Sequence, residues 1–300
     1  MDFAVTGSTG LIGRALVDRL RLQGHQVRRL VRSGRPLEPG DVHWDPTTGD
    51  VDLGALAGVD GVVHLAGAGI GDHRWSESYR REILQSRVDG TRTVVQAMKA
   101  LDPKPLVLVS ASAIGWYGDR AGELLTENSA PGTGFLADVT KAWEHEAMQL
   151  ESTGIRVVTT RNGIVLSRQG GALGRLLPLI RLGLAGPLGP GRQWWSWITL
   201  EDEVRALHYL LMADEVSGAV NLTAPQPVHQ VDVVNALARA AHRPSFLPAP
   251  GPALRLVLGE MAQETVLASQ RVLPFKLDQA GFDFVHDDID AAASWVMRDD

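Results

Sequence analysis

Phe3-Ala4-Val5-Thr6-Gly7-Ser8-Thr9-Gly10-Leu11-Ile12-Gly13 carries a short apolar strand into a glycine-rich turn, and Gly13–Gln23 then has the spacing of an amphipathic helix. Spaced glycines between a strand and a helix have a specific physical use. One permits the tight turn, a second lets a diphosphate approach the backbone, and the third lets helix lie close on strand. Free N–H groups and the dipole at the helix start favour the negative charge. Gly7, Ser8, Thr9, Gly10, Leu11, Ile12 and Gly13 are therefore candidate dinucleotide contacts. The bland alternative is a turn that merely tolerates glycine, and the βαβ pattern that follows argues against it.

Working outward, strands are expected at Gln26–Val31, Gly61–Leu65, Leu106–Ser110 and Arg156–Arg161, with helices at Trp75–Leu101 and Leu136–Ser152. Strands alternating with helices build right-handed βαβ units. Leu106-Val107-Leu108-Val109 is a continuous apolar run, as expected of a strand covered on both faces. The expected class is α/β, a Rossmann-type doubly wound parallel sheet. Residues 1–243 are assigned to it, including a glycine- and proline-rich loop at 183–197 that reads as a substrate loop. Pro244–Pro252 reads as a linker or crossover, and residues 244–300 as a small, mainly helical C-terminal region.

Composition narrows the function. A net charge of −6 gives no general attraction to nucleic acid or anionic membrane. Cysteine is absent, which excludes disulfides, thiolate metal sites and a thiol nucleophile. The nine histidines show no metal-ligand spacing, so no metal is expected. No secretory signal or long apolar span is evident, which makes a cytoplasmic protein the expectation.

The second strand should end on the residue that judges the adenosine ribose. An acid there suits NAD, but here the strand ends Val31-Arg32-Ser33 with no acid in place. Arg32 can pair bidentately with a 2′-phosphate and Ser33 can add a hydroxyl, which favours NADP over NAD. Arg28 and Arg29, nearby on the same strand, point to opposite faces and do not count as one cluster.

Thr6–Gly13, together with His64-Leu65-Ala66-Gly67 at a later strand end, resembles the extended or atypical short-chain dehydrogenase/reductase superfamily. More narrowly, the chain resembles the epimerase-like family with a C-terminal DUF1731 domain. Arg161–Ser167, Gly186–Gln193, Leu258–Ala262, Ser269–Pro274 and Ala280-Gly281-Phe282 carry that likeness. It implies a bound NADP or NAD, a small-molecule substrate site formed partly by the C-terminal region, and a homodimer through helices flanking the sheet. His64, Leu65, Ala66 and Gly67 then fall at a strand's carboxyl end over the cofactor, with His64 itself expected as a buried, hydrogen-bonded residue.

The superfamily's Tyr-x-x-x-Lys pair is incomplete. Lys141 is in place as a cofactor and catalytic candidate, but Ala137 stands four residues earlier. Ser112 is the candidate substrate-orienting hydroxyl, with Ala113 there in the alternative register. Arg87 occupies the usual structural asparagine's position and is a candidate for a cofactor phosphate or an anionic substrate. Tyr117 is the nearest phenol by motif position and the first candidate proton donor. Glu123 and Glu127 lie in the following loop. Arg192, Gln193, Trp194 and Trp197 have the residue types of a substrate pocket, planar hydrogen-bonders beside large apolar faces. The leading function is an NADP-dependent oxidoreductase acting on a small carbonyl or alcohol. The alternatives are a nucleotide-sugar-type epimerase or isomerase and a non-catalytic NADP-binding sensor or scaffold.

Overall fold

The computed structural model describes residues 1–32 and 37–298; Ser33, the expected second contact to the 2′-phosphate, lies outside the described residues. The chain divides into two compact units. The first comprises Met1–Ser112, Val139–Arg161 and Val204–Val220, and the second Ala113–Asp138, Asn162–Glu203 and Asn221–Asp300.

The elements around the main sheet are β1 (Asp2–Thr6), α1 (Leu11–Leu22), β2 (Gln26–Arg32), β3 (Val42–Asp45), β4 (Asp50–Val51), β5 (Gly61–His64), α2 (Glu77–Ala100), β6 (Val107–Ala113), α3 (Phe135–Met148), β7 (Arg156–Asn162), α4 (Leu200–Met212) and β8 (Gly218–Leu222). The sheet is eight-stranded, in the order β8-β7-β6-β5-β1-β2-β3-β4. β1 lies between β2 and β5, parallel to both, with Thr6 opposite His64. β5 in turn pairs parallel with β6, placing His64 opposite Ser110. The winding reverses at β1, and ligands of open α/β sheets bind outside the strand ends at such a reversal. The expected doubly wound parallel sheet is therefore present. β3 and β4 are additions, and Trp44 of β3 is almost wholly buried.

Local sequence explains these elements. α1 buries Leu16, Val17 and Leu20 on one stripe, and the chain leaves it through Gly24 in the left-handed region, φ +80°. Ser76 caps α2 by accepting from the Tyr79 N–H at 3.1 Å. The first unit's core gathers Leu30, Val42, Trp44, Val62, Met98, Leu108 and Leu150.

The second unit has its own core, including Leu166, Leu177, Ile180, Trp195, Trp197, Val233 and Val296. Pro244–Pro252 is a paired segment within it and no free linker. Gly189 N–H donates to Ala249 at 2.8 Å and Ala249 N–H to Pro187 at 2.9 Å. A Cβ on Gly186 would fall 2.3 Å from the Leu247 carbonyl oxygen, so the two loops pass too closely for any side chain. Beyond it come the helices Gly251–Leu258, Glu260–Glu264, Phe275–Gln279 and Ile289–Met297. Asp202 anchors this tail by accepting from the backbone of Val285 and His286 at 3.0 and 2.9 Å.

Glu203, in the first turn of α4, is fully buried and neither carboxylate oxygen has a partner among the described residues. Burial pushes its pKa up to about 8. The folded state therefore holds a proton that the unfolded chain releases in the ordinary carboxylate range. Stability should fall as pH rises from that range to about 8, by about 1.4 kcal/mol per unit, and level off above. Glu203→Gln should flatten this slope, as urea midpoints between pH 5 and 8.5 will show.

Candidate functional site

The turn after β1 is built around its glycines. Gly7 has φ +64°, a left-handed conformation that suits glycine. A Cβ on Gly13 would come within 2.2 Å of the Gly7 oxygen, so helix and turn touch backbone to backbone. Gly10 begins α1 with no side-chain cap, and both it and Thr9 are exposed. Uncapped N–H groups at the start of a twelve-residue helix make a cradle for an anion.

Thr6 joins this turn to the end of β5. Its Oγ1 accepts from Leu65 N–H at 3.0 Å and Ala66 N–H at 3.2 Å and lies 2.8 Å from His64 Nδ1. With two donors already received, the hydroxyl's own proton goes to Nδ1, and the ring carries its proton on Nε2. His64 is completely buried. Burial first, and the nearby Arg87 charge second, hold its pKa down to about 3, so the ring is neutral across ordinary pH. His64 thus shapes the strand end from beneath, while Leu65, Ala66 and Gly67 reach the surface.

The loop that follows is pinned to α2. Ser86 Oγ accepts from Ala68 N–H at 3.0 Å, and Arg87 Nη1 donates to the Ala68 oxygen at 2.9 Å. Further along, Tyr79 donates to Gly69, and Trp75 Nε1 to Ile70 at 2.8 Å. Gly67 packs on Arg87 so closely that a Cβ would lie 3.3 Å from the guanidinium carbon. Arg87 Cζ also lies 4.9 Å from the centre of the Trp143 ring.

Helix α3 carries Ala137, 1% exposed, and Lys141, half-buried one turn later. Glu264 caps its start, accepting from Phe135 N–H at 2.8 Å and Leu136 N–H at 2.7 Å. Ser112 is engaged inside the first unit. Its Oγ donates to Glu144 Oε1 at 2.7 Å, and Glu144 also receives Arg161 through Nε and Nη2 at 2.8 and 2.9 Å. Ser112, Glu144 and Arg161 are all buried.

Other candidates separate in the structure. Tyr117 has no exposed surface, and its hydroxyl donates to Asn221 Oδ1 at 2.7 Å with the Thr126 oxygen at 3.0 Å. A phenol sealed in this way has no face to offer a substrate, so the geometry gives Tyr117 a packing role in place of the expected proton donation. Glu127 belongs to the same buried network, accepting from Asn221 N–H at 3.0 Å, whereas Glu123 pairs with Arg120. Trp197 is wholly buried with Nε1 donating to Gln226, and Gln193 Nε2 is spent on the Leu188 and Val266 carbonyls at 2.9 Å. Both are structural in the loop where sequence suggests a substrate contact. Trp194 is half-buried and Arg192 exposed. Trp194 stacks on His229 at 4.1 Å, and Arg271 lies 4.4 Å over its ring. Sequence reasoning missed Arg271, which no motif connects with Trp194.

At the end of β2, Arg28 Nε donates to Asp2 at 2.9 Å, and Arg29 is bound by Asp41 through Nε and Nη2 at 2.7 Å. Arg32 is exposed, and no acid among the described residues pairs with it. Among the described residues no group of three or more histidine or acidic side chains could hold a metal ion. None of their helices is long and apolar enough to cross a membrane.

Residues 3–223 match the NAD dependent epimerase/dehydratase family, and residues 249–296 match a domain of unknown function, DUF1731. An epimerase family protein of Mycobacterium bovis is 42% identical over 98% of this chain and 96% of its own length. The chloroplastic SDR39U1 homolog of Arabidopsis thaliana is 37% identical over 99% of this chain and 87% of its own. The crystal structure of human epimerase family protein SDR39U1 with NADPH has a TM-score of 0.91 at 30% identity, covering 99% of both chains.

The Ser112–Glu144–Arg161 geometry makes an ordered prediction. Glu144→Gln strips a buried guanidinium of its counter-charge and should cost about 3–5 kcal/mol in urea unfolding. Ser112→Ala removes one charge-assisted bond and should cost only about 1.5–3 kcal/mol.

Proposed function

We propose that this chain, which belongs to the NAD dependent epimerase/dehydratase family, is an NADPH-dependent oxidoreductase acting on a small carbonyl compound or the matching alcohol. The observation that carries this reading is the unequal fate of the arginines on β2. Arg28 and Arg29 are neutralised by acids within the first unit, whereas Arg32 at the strand end is exposed and has no acid partner among the described residues. A strand end with a spare guanidinium and no acid suits a ribose 2′-phosphate and gives NAD no special hold. The human relative's structure with NADPH supports the same cofactor.

The cradle fits the group. Gly7 and Gly13 leave no room for side chains between turn and helix, and the uncapped start of α1 faces the diphosphate with N–H groups. Leu65, Ala66 and Gly67 offer small or partly exposed surface at the end of β5 for the nicotinamide half. Bound NADPH supplies a hydride to the carbonyl carbon. The oxygen then needs a proton, and the chain's usual sources are reduced. Ala137 has none, Tyr117 is sealed, and the Ser112 proton is held by Glu144. Lys141 is the remaining candidate side chain, and its ammonium both binds the nicotinamide ribose and hands the proton to the carbonyl oxygen.

The same losses favour a second reading, an NADPH-binding sensor without turnover. A panel of small aldehydes and ketones with NADPH distinguishes the two: the enzyme reading expects NADPH consumption by at least one carbonyl. Cofactor that co-purifies and never exchanges with added NADPH would instead indicate epimerisation.

The cofactor assignment is tested by fluorescence titration. Arg32→Glu should weaken NADPH binding by tenfold or more and change NADH binding by less than threefold, since only NADPH carries the 2′-phosphate. Equal losses for both, or wild-type protein that binds neither, would overturn it.

A further inference from the structure

Leu179, Leu182, Leu184, Phe246 and Leu247 leave large parts of their surface open to water, Leu182 and Phe246 as much as 69% and 71%. Single exposed leucines are ordinary, but these five stand side by side. The helix Leu176–Arg181 ends in a tight turn, where Leu184 N–H donates back to the Leu179 oxygen at 2.8 Å. After that turn the chain runs along residues 244–250. Leu247 N–H donates to the Ala185 oxygen at 3.3 Å, and a Cβ on Gly183 would fall 3.3 Å from the Pro244 ring. The five side chains together present on the order of 500 Å² of apolar surface, as much as the largest patch on a typical single chain. The helix Gly251–Leu258 follows directly and buries none of its own residues, and its Leu256 and Val257 are exposed as well. All of these residues belong to the second unit.

Charge sorts with this surface. The chain carries −6 overall, yet it has no aspartate or glutamate between Glu151 and Glu201 or between Asp232 and Glu260. Those are the two stretches that meet here, and both contain arginine and no lysine. Arg181 and Arg243 flank the apolar side chains and are exposed. Arg243 Nε donates to the Arg181 carbonyl oxygen at 2.9 Å, and neither arginine has an acid partner among the described residues. Arg255, on the following helix, meets the neutral Gln263 Oε1 at 3.0 Å. Large apolar side chains beside arginine, without lysine or acids, have the composition of a protein interface.

Apolar area alone would suit several occupants, and charge chooses among them. A second copy across a two-fold axis would bring Arg181 and Arg243 against their own equivalents. An anionic membrane is an extended plane, and it repels the net negative charge carried elsewhere on this chain. A short acidic segment meets only the local arginines. An amphipathic helix sets apolar side chains along one stripe and can carry carboxylates on its flanks, which complements the arrangement here. The surface is also preformed. Its two runs of backbone are hydrogen-bonded, and Gly186 lies against Leu247 with no room for a side chain, so docking costs little ordering.

We propose that residues 179–184 and 244–247 form a docking surface for an acidic amphipathic helix of a partner protein. The proposal stands independently of the cofactor reading.

The probe is a fluorescein-labelled synthetic helix with leucines on one face and glutamates on the other, titrated with the full-length protein by fluorescence anisotropy. A counterpart with lysine in place of glutamate is the control. The glutamate peptide should bind at least tenfold more tightly than the lysine peptide, and its affinity should fall as salt rises. Phe246→Ser should weaken it fivefold or more, and Arg181→Glu tenfold or more at low salt and less at high salt. Both side chains are exposed, so urea midpoints should stay at the wild-type value. If Phe246→Ser loses stability, Leu182→Ser reads the same contact in its place. Failure of the glutamate peptide to bind, equal binding of the two peptides, or indifference to residues 181 and 246 would overturn the proposal. So would a wild-type dimer in sedimentation that Phe246→Ser dissolves, which assigns the surface to a second copy. Phosphatidylglycerol vesicles that retain wild type and not Phe246→Ser would assign it to lipid and overturn the proposal equally.

Discussion

A single hydroxyl holds the glycine-rich turn in register. Thr6 Oγ1 gathers Leu65 N–H, Ala66 N–H and His64 Nδ1 at the point where β1 and β5 both end. The close passage of Gly7 against the Leu65–Ala66 backbone depends on that knot, since a Cβ on Gly7 would lie 2.8 Å from the Leu65 carbonyl carbon. The neutral His64 ring completes it without bringing a second positive charge beside Arg87. The glycine-rich turn is thus shaped from below by buried groups that lie behind it.

The first unit handles buried charge in two ways. Glu144 and Arg161 cancel each other with bidentate geometry and bind Ser112 into a rigid group. Among the described residues, Arg87 meets carbonyl oxygens and an indole face. The first arrangement contributes order whatever is bound.

The main sheet is legible in the sequence because its signals are local. Glycine spacing and apolar runs place β1, α1, β2, β5 and β6 within a few residues of their observed ends. β3 escapes such a reading, since Val42–Asp45 is too short for a pattern and owes its place to burial of Trp44. Pro244–Pro252 reads as a linker by composition, yet its neighbours on Gly186–Gly189 lie some sixty positions away in the chain. The site shows the same limit. Motif position singles out Gly7, Arg32, Arg87 and Lys141 as candidates. It cannot tell that Tyr117 turns inward to Asn221, that Trp197 is core, or that Arg271 covers Trp194. Those outcomes depend on which face meets which partner, and no local pattern encodes it.

The cap on α3 has a consequence for how the protein is made. The first turn of that helix is satisfied by Glu264, 128 residues beyond Leu136. At ordinary rates of synthesis those residues take roughly 6–26 s to appear, whereas helices form in about a microsecond. During translation the start of the helix bearing Ala137 and Lys141 therefore emerges with open N–H groups and waits. The ribosome must pass Glu264, well into the C-terminal region, before that helix acquires its native end.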